Sequence, residues 1–167
     1  ELEQEAWEQV PLLLLRYDNR NLLRLLKEED TENWSALGRY SEAEMREALK
    51  AESGLPGYMH RFYHAYQNEQ PVDPEKSWEN QLTALYYEHA LDQSEGFLHD
   101  WLIFERDLND ILTAWNIRQY QIKAEGQLIG KGETTEALRR SRARDFGLGS
   151  EHSFLHKLLS ELERDDL

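Results

Sequence analysis

His60-Arg61-Phe62-Tyr63-His64 and His152-Ser153-Phe154-Leu155-His156 write His-x-Phe-x-His twice, each three residues after a glycine, Gly57 and Gly149. On a helix, side chains four apart share a face, so each pair could offer two imidazoles to one metal ion. Two histidines supply half of a tetrahedral zinc shell, and no nearby spacing supplies the rest. Neither His-Glu-x-x-His nor the Glu-x-x-His of di-iron bundles occurs. The expectation is no metal and no cofactor at these histidines, with each central phenylalanine, on the opposite face, as the core residue.

Two further stretches carry the letters of chemistry without its grammar. Gly126-Gln127-Leu128-Ile129-Gly130-Lys131-Gly132 looks like a phosphate loop. It has three residues between glycines instead of four, lacks Ser or Thr after the lysine, and follows no strand pattern. Asp145-Phe146-Gly147 has the letters of a kinase motif, but the glycine-rich and catalytic loops that go with it are absent. Its glycine reads as a helix C-cap. No catalytic constellation emerges, and a non-enzyme is expected.

A polar seam is the strongest candidate site. A long helix is expected from Glu95 to Ala124, about 45 Å at 1.5 Å per residue. Phe97, Trp101, Phe104, Leu108, Ile111 and Trp115 recur along it at steps of four and three, the pattern of a core stripe. Beside them run Leu98, Leu102, Glu105, Asn109, Leu112 and Asn116, apolar at first and polar later. Buried polar groups need partners. Asp18, Asn21, Glu105, Asp107, Asn109, Asn116 and Arg118 are therefore expected to form a structural polar network, with Arg118 as partner to the seam.

These residues are positioned by helices almost throughout. Helical spacing covers 2–28, with Pro11 as a break or kink. Ser41-Glu42-Ala43-Glu44 is a capping box opening a helix to about Ala51. Leu55-Pro56-Gly57 punctuates before a helix to about Asn68. Asp73-Pro74 pairs an N-cap with proline at the first helical position, opening a helix to about Gln93. Further helices are expected over 133–143 and 150–164. No alternating strand pattern is present, so the fold class is all-α.

The chain also resembles itself. A shift of 89, carrying Leu49 onto Leu138, brings Asp18 onto Asp107, Asn21-Leu22-Leu23 onto Asp110-Ile111-Leu112, and Glu47-Ala48-Leu49 onto Glu136-Ala137-Leu138. A shift of 92 then carries Gly57 onto Gly149, His60 onto His152, Phe62 onto Phe154 and His64 onto His156. The ordered matches predict a duplicated bundle: two related helical units joined by short loops, the first over 1–70 and the second over 71–167. The first unit lacks a counterpart of the helix expected at 75–93, and the chain opens at Glu1 within a helical pattern, so a piece trimmed at its N-terminus is expected. The doubled His-x-Phe-x-His is then a copied scaffold element.

Composition narrows the partners. Nineteen Lys and Arg against 33 Asp and Glu give a net charge of −14, which repels phosphate backbones and argues against nucleic acid. The concentrated positive charge is Arg139, Arg140, Arg142 and Arg144, a candidate contact for a partner. With no cysteine, disulfides and thiolate metal sites are excluded, which fits a reducing compartment. No apolar run approaches the roughly 20 residues that cross a bilayer.

Glu105-Arg106-Asp107-Leu108-Asn109-Asp110-Ile111-Leu112, followed by Asn116-Ile117-Arg118, resembles the helices of the V-type and A-type ATPase subunit called C in prokaryotes and d in eukaryotes. Asp18-Asn19-Arg20-Asn21-Leu22-Leu23 is a weaker copy. Asp18 to Leu26, Trp78 to Leu91 and Arg144-Asp145-Phe146-Gly147-Leu148 are similar to a bacterial family of unknown function associated with V-type ATPase genes. The resemblance implies a repeated helical bundle and a non-catalytic role. Such a subunit caps the cytoplasmic side of the membrane proteolipid ring and is a socket for the central shaft. It implies ATPase subunits as partners, and a cytoplasmic location peripheral to the membrane through protein contacts only. The alternatives are a free-standing helical adaptor and a metal-dependent helical enzyme using the histidines and the polar seam.

Overall fold

The computed structural model describes residues 2–29 and 31–165, and among these the chain is helical with no strand. The helices are α1 (Leu2–Leu26), α2 (Glu42–Ala51), α3 (Gly57–Gln67), α4 (Trp78–Asp92), α5 (Gly96–Gln119), α6 (Glu133–Arg140) and α7 (Leu155–Asp165), with a 3₁₀ turn at Thr31–Asn33. The all-α class expected from the spacing is the class observed.

Local chemistry explains most boundaries. Pro11 lies inside α1 without ending it. α1 stops where Glu28 takes a left-handed φ of 54°. The Ser41–Glu44 capping box forms as expected: Ser41 Oγ accepts from Glu44 N, and Glu44 Oε2 accepts from Ser41 N at 2.8 Å. The start of α4 differs from expectation. Asp73 accepts from Glu75 N at 3.1 Å and Lys76 Nζ at 2.5 Å, which closes a turn, and the helix begins later. Its N-cap is Ser77, which accepts from Asn80 N at 3.1 Å. α5 and α6 also end earlier than their spacing suggested, at Gln119 and Arg140. Asp145-Phe146-Gly147 is therefore a turn beyond α6 and not its C-cap. In it Asp145 Oδ1 accepts from Gly147 N at 3.0 Å.

Two apolar cores form. The first gathers Leu15 and Leu22 of α1, Met45 and Leu49 of α2, Met59 and Phe62 of α3, Leu82, Leu85, Tyr86 and Ala90 of α4, and Leu102 of α5. The second gathers Ile111 and Ala114 of α5 with Leu128, Leu138, Phe146, Leu148, Leu155 and Leu159. α4 thus packs with α1 and α3, and the passage from one core to the other falls within α5.

The stripe expected to be core on α5 is only partly so. Phe97 is 82 % exposed, Trp101 43 % and Phe104 39 %, while Ile111 is buried and Trp115 half-buried. In its first half α5 turns the neighbouring seam inward, with Leu102 fully buried. The period of apolar residues was right; the side on which α1 and α4 pack was not readable from it.

The histidine motifs also part company. His60, Phe62 and His64 lie within α3, and Phe62 is fully buried against Trp78 and Tyr66. His152 and Phe154 precede α7, whose first residues are Leu155 and His156. Phe154 is half-buried against Phe104, 5.5 Å between ring centroids. The expected equivalence of Phe62 and Phe154 fails, because α7 starts after Phe154 and presents Leu155 and Leu159 to its core instead.

Candidate functional site

The polar residues of the two long helices brace loops. On α1, Asp18 Oδ1 accepts from the backbone N–H of Arg39 at 2.8 Å and of Tyr40 at 3.3 Å. One turn on, Asn21 accepts from Ser35 N at 2.8 Å and donates to Ser35 O at 3.1 Å. The loop passes so close that a Cβ on Gly38 would stand 2.5 Å from Asp18 Oδ1. The second Asp18 oxygen is buried without a partner. Burial pushes this carboxyl above its ordinary range, against the opposing pull of the Arg39 and Tyr40 donors.

On α5, the residues aligned with Asp18 and Asn21 hold the start of α6 and the glycine loop before it. Asp107 Oδ2 accepts from Thr134 Oγ1 at 3.1 Å, and its Oδ1 accepts from Arg106 Nη2 at 2.8 Å. Asp110 Oδ1 accepts from Ile129 N at 2.7 Å, and Oδ2 from Gly130 N at 2.9 Å and Thr135 Oγ1 at 3.0 Å. At Gly130 a Cβ would stand 2.3 Å from Thr135 Oγ1. The stretch that resembled a phosphate loop therefore has a carboxylate where a phosphate would sit, and the amides of Ile129 and Gly130 are committed to it. Asp110 was missed as a site residue; its alignment with Asn21 was the signal that could have found it.

The seam residues divide. Glu105 receives Arg16 Nη1 at 2.9 Å and Nη2 at 2.8 Å, a two-pronged ion pair joining α1 to α5. The Glu105 hydrogen bond, opposed by burial, holds the Arg16 pKa above its ordinary range. Tyr87 donates to Glu105 at 3.2 Å and accepts from Asn109 at 3.3 Å. With Gln9 accepting from Glu95 N at 2.8 Å, these bonds set α1 and α5 side by side in the same sense. A cleft of about 380 Å³ opens between α1 and α4 beside this pair, lined by Arg16, Asn19, Arg20, Leu82, Tyr86 and Tyr87 among others.

Asn109 and Asn116 are exposed, so burial does not force partners on them. Arg118 does not serve the seam. It lies over the Phe146 ring, 3.7 Å from its centroid, and donates to Ala143 O at 2.6 Å and to Ser141 O. It braces the loop after α6. The expected single network is thus three separate braces: one around Asp18 and Asn21, one around Asp107 and Asp110 with the Glu105 bridge alongside, and one around Arg118.

The arginine cluster is exposed but partly neutralised. Arg139 and Arg140 both pair with Glu136, at 3.3 and 2.9 Å, and Arg144 pairs with Glu163 at 2.7 Å. Among the described residues Arg142 has no ion pair, and within the cluster it is the uncommitted guanidinium.

Each histidine pair splits into an enclosed and an exposed ring. Both His60 ring nitrogens, and Nε2 of His152, are buried without partners. His64 lies 3.5 Å from Glu52, and His156 lies 3.9 Å from Asp145. Among the described residues no three of His, Cys, Asp and Glu gather where they could hold one ion. His89, not singled out in the sequence, stacks on Tyr58 at 5.1 Å, and burial lowers its pKa.

A family model described as "Protein of unknown function (DUF2764)" matches residues 1–167. No curated protein and no solved structure matches the chain.

Proposed function

We propose that this chain, which belongs to the DUF2764 family, is a non-catalytic structural part of a V-type ATPase that couples the central rotor shaft to the membrane proteolipid ring. The observation that carries the structural role is Asp110. The acid-rich motif on α5 has a carboxylate bound to two backbone amides and a hydroxyl of its own chain. A carboxylate so engaged has few lone pairs left for a substrate, and it makes the glycine loop a rigid part of the frame. Glu105, in the same motif, ties α5 to α1. Asp18 and Asn21 do the corresponding work on α1. The motif's chemistry is directed at holding helices and loops in fixed relation, as a coupling part requires.

The choice of a rotary ATPase rests on the resemblance of Glu105 to Leu112 and of Asp18 to Leu23 to its shaft-socket subunit. No helix among the described residues is long and apolar enough to cross a membrane. In this reading attachment on the cytoplasmic side runs through protein contacts, with Arg142 the uncommitted cation of its cluster. The test is affinity purification of the tagged protein from its own cells after mild detergent extraction. Shaft and ring subunits should come with it, and replacing Arg139, Arg140, Arg142 and Arg144 should weaken that recovery most at raised salt. If shaft and ring are absent while the ATPase assembles normally without this protein, a free-standing helical adaptor replaces the reading.

A further inference from the structure

We propose that the exposed aromatic ladder of α5 is a docking surface for a basic amphipathic helix of another protein. Phe97 and Trp101 stack with centroids 6.5 Å apart, Trp101 and Phe104 lie 5.7 Å apart, and Phe104 meets Phe154 at 5.5 Å. Four rings thus run unbroken from the first turn of α5 to the start of α7. Three of them are more than a third exposed, Phe97 almost entirely. Contiguous apolar surface of this kind on an otherwise charged chain marks a contact site. The steps of four and three along the ladder are those by which one helix receives the ridge of another.

Charge selects the occupant. Glu95 precedes the first ring, and Asp100 stands between the rungs with its side chain 85 % exposed and Oδ1 3.7 Å from Nδ1 of His99. Arg16, the guanidinium facing this helix, is bound to Glu105. The ladder is therefore aromatic with an acidic margin, on a chain of net charge −14. Lysine or arginine flanking a partner's apolar stripe would meet Asp100 and Glu95, and could lie over the Trp101 face. A second copy of this chain would bring like charges together across a two-fold contact. An anionic lipid surface would meet the same repulsion. The inference rests on this face alone and holds whether or not the partner is an ATPase subunit.

The test uses the full chain and two labelled amphipathic peptides of about 18 residues, long enough to form a helix against a surface. They share one leucine face and differ in carrying lysine or glutamate on the other. Anisotropy should show binding of the lysine peptide only. Phe97→Ser with Trp101→Ser should weaken it by roughly tenfold or more, as loss of aromatic anchors does. Asp100→Lys should weaken the lysine peptide and admit the glutamate peptide. These side chains are exposed, so circular dichroism and melting of the variants should match the parent. No binding of the lysine peptide, equal binding of both peptides, or binding unchanged by the double serine variant would overturn the proposal. So would a dimer in sedimentation, or binding to phosphatidylserine vesicles, that the double variant abolishes. The first of these would assign the face to a second copy, the second to a membrane.

Discussion

Asp110 accepts two hydrogen bonds from the glycine loop and a third from Thr135 of α6, whereas Asp107 accepts one from Thr134 of α6 and two from its neighbour Arg106. Asp110→Ala strands two backbone amides and a hydroxyl in a buried place and should cost about 2–4 kcal/mol, against roughly 1–3 for Asp107→Ala. Urea denaturation of the two variants checks the order; equal losses would mean that the loop is held elsewhere. Asp18 makes a prediction in pH. Its carboxyl is raised above the ordinary value of 3.8 in the folded chain, so the folded state binds that proton more tightly than the unfolded state. Ionising it therefore costs stability as pH climbs from the ordinary value through the raised one. Asp18→Asn removes this fall, so the variant should gain on the parent across that window and hold its gain above it. Stability of both proteins followed from acid to neutral pH is the measurement, and a constant difference would sink the idea. The lowered carboxyls of Glu44, Asp73, Glu79, Asp145 and Glu163 act in the opposite sense. They are common to both proteins and cancel in the comparison.

At the scale of the element, α5 decides the architecture. Leu102 lies in the first core and Ile111 in the second, on one unbroken helix. Leu102→Ala should cost about 2–5 kcal/mol through the cavity it leaves. Phe97→Ala, one rung of the exposed ladder, should stay within about 0.5 kcal/mol. Thermal melts of the two variants separate the buried seam from the exposed one, and a large loss at Phe97 would restore the ladder to the core. The sequence presented the two seams as neighbours and read the aromatic one as core from its steps of four and three. Periodicity reports that a helix has a face. Which face is covered depends on where α1 and α4 lie, and Arg16–Glu105 and Gln9–Glu95 fix the placement of α1.

On the scale of the molecule, among the described residues the second core has 8 buried residues against 13 in the first. Less apolar burial means cheaper local opening. Amides of α6 and α7 should exchange with solvent before those of α1 and α4, read by hydrogen exchange at neutral pH. Uniform exchange would instead make the two cores one cooperative unit.

The sequence by itself determined the all-helical class, the capping box at Ser41, and Asp18, Asn21 and Asp107 as positions worth watching, while Asp110 entered it only as the residue aligned with Asn21. These depend on local chemistry: hydrophobic period, a side chain reaching three residues along, the spacing of short polar residues. Tertiary structure alone decided that Asp110 fills the loop that looked ready for phosphate. It decided that Arg118 stacks on Phe146 instead of serving the seam, that His60 and His152 are enclosed while His64 and His156 are not, and that the aromatic ladder faces outward. Each of those outcomes depends on segments far apart in the chain meeting at a particular height and rotation, and a helical period contains neither quantity.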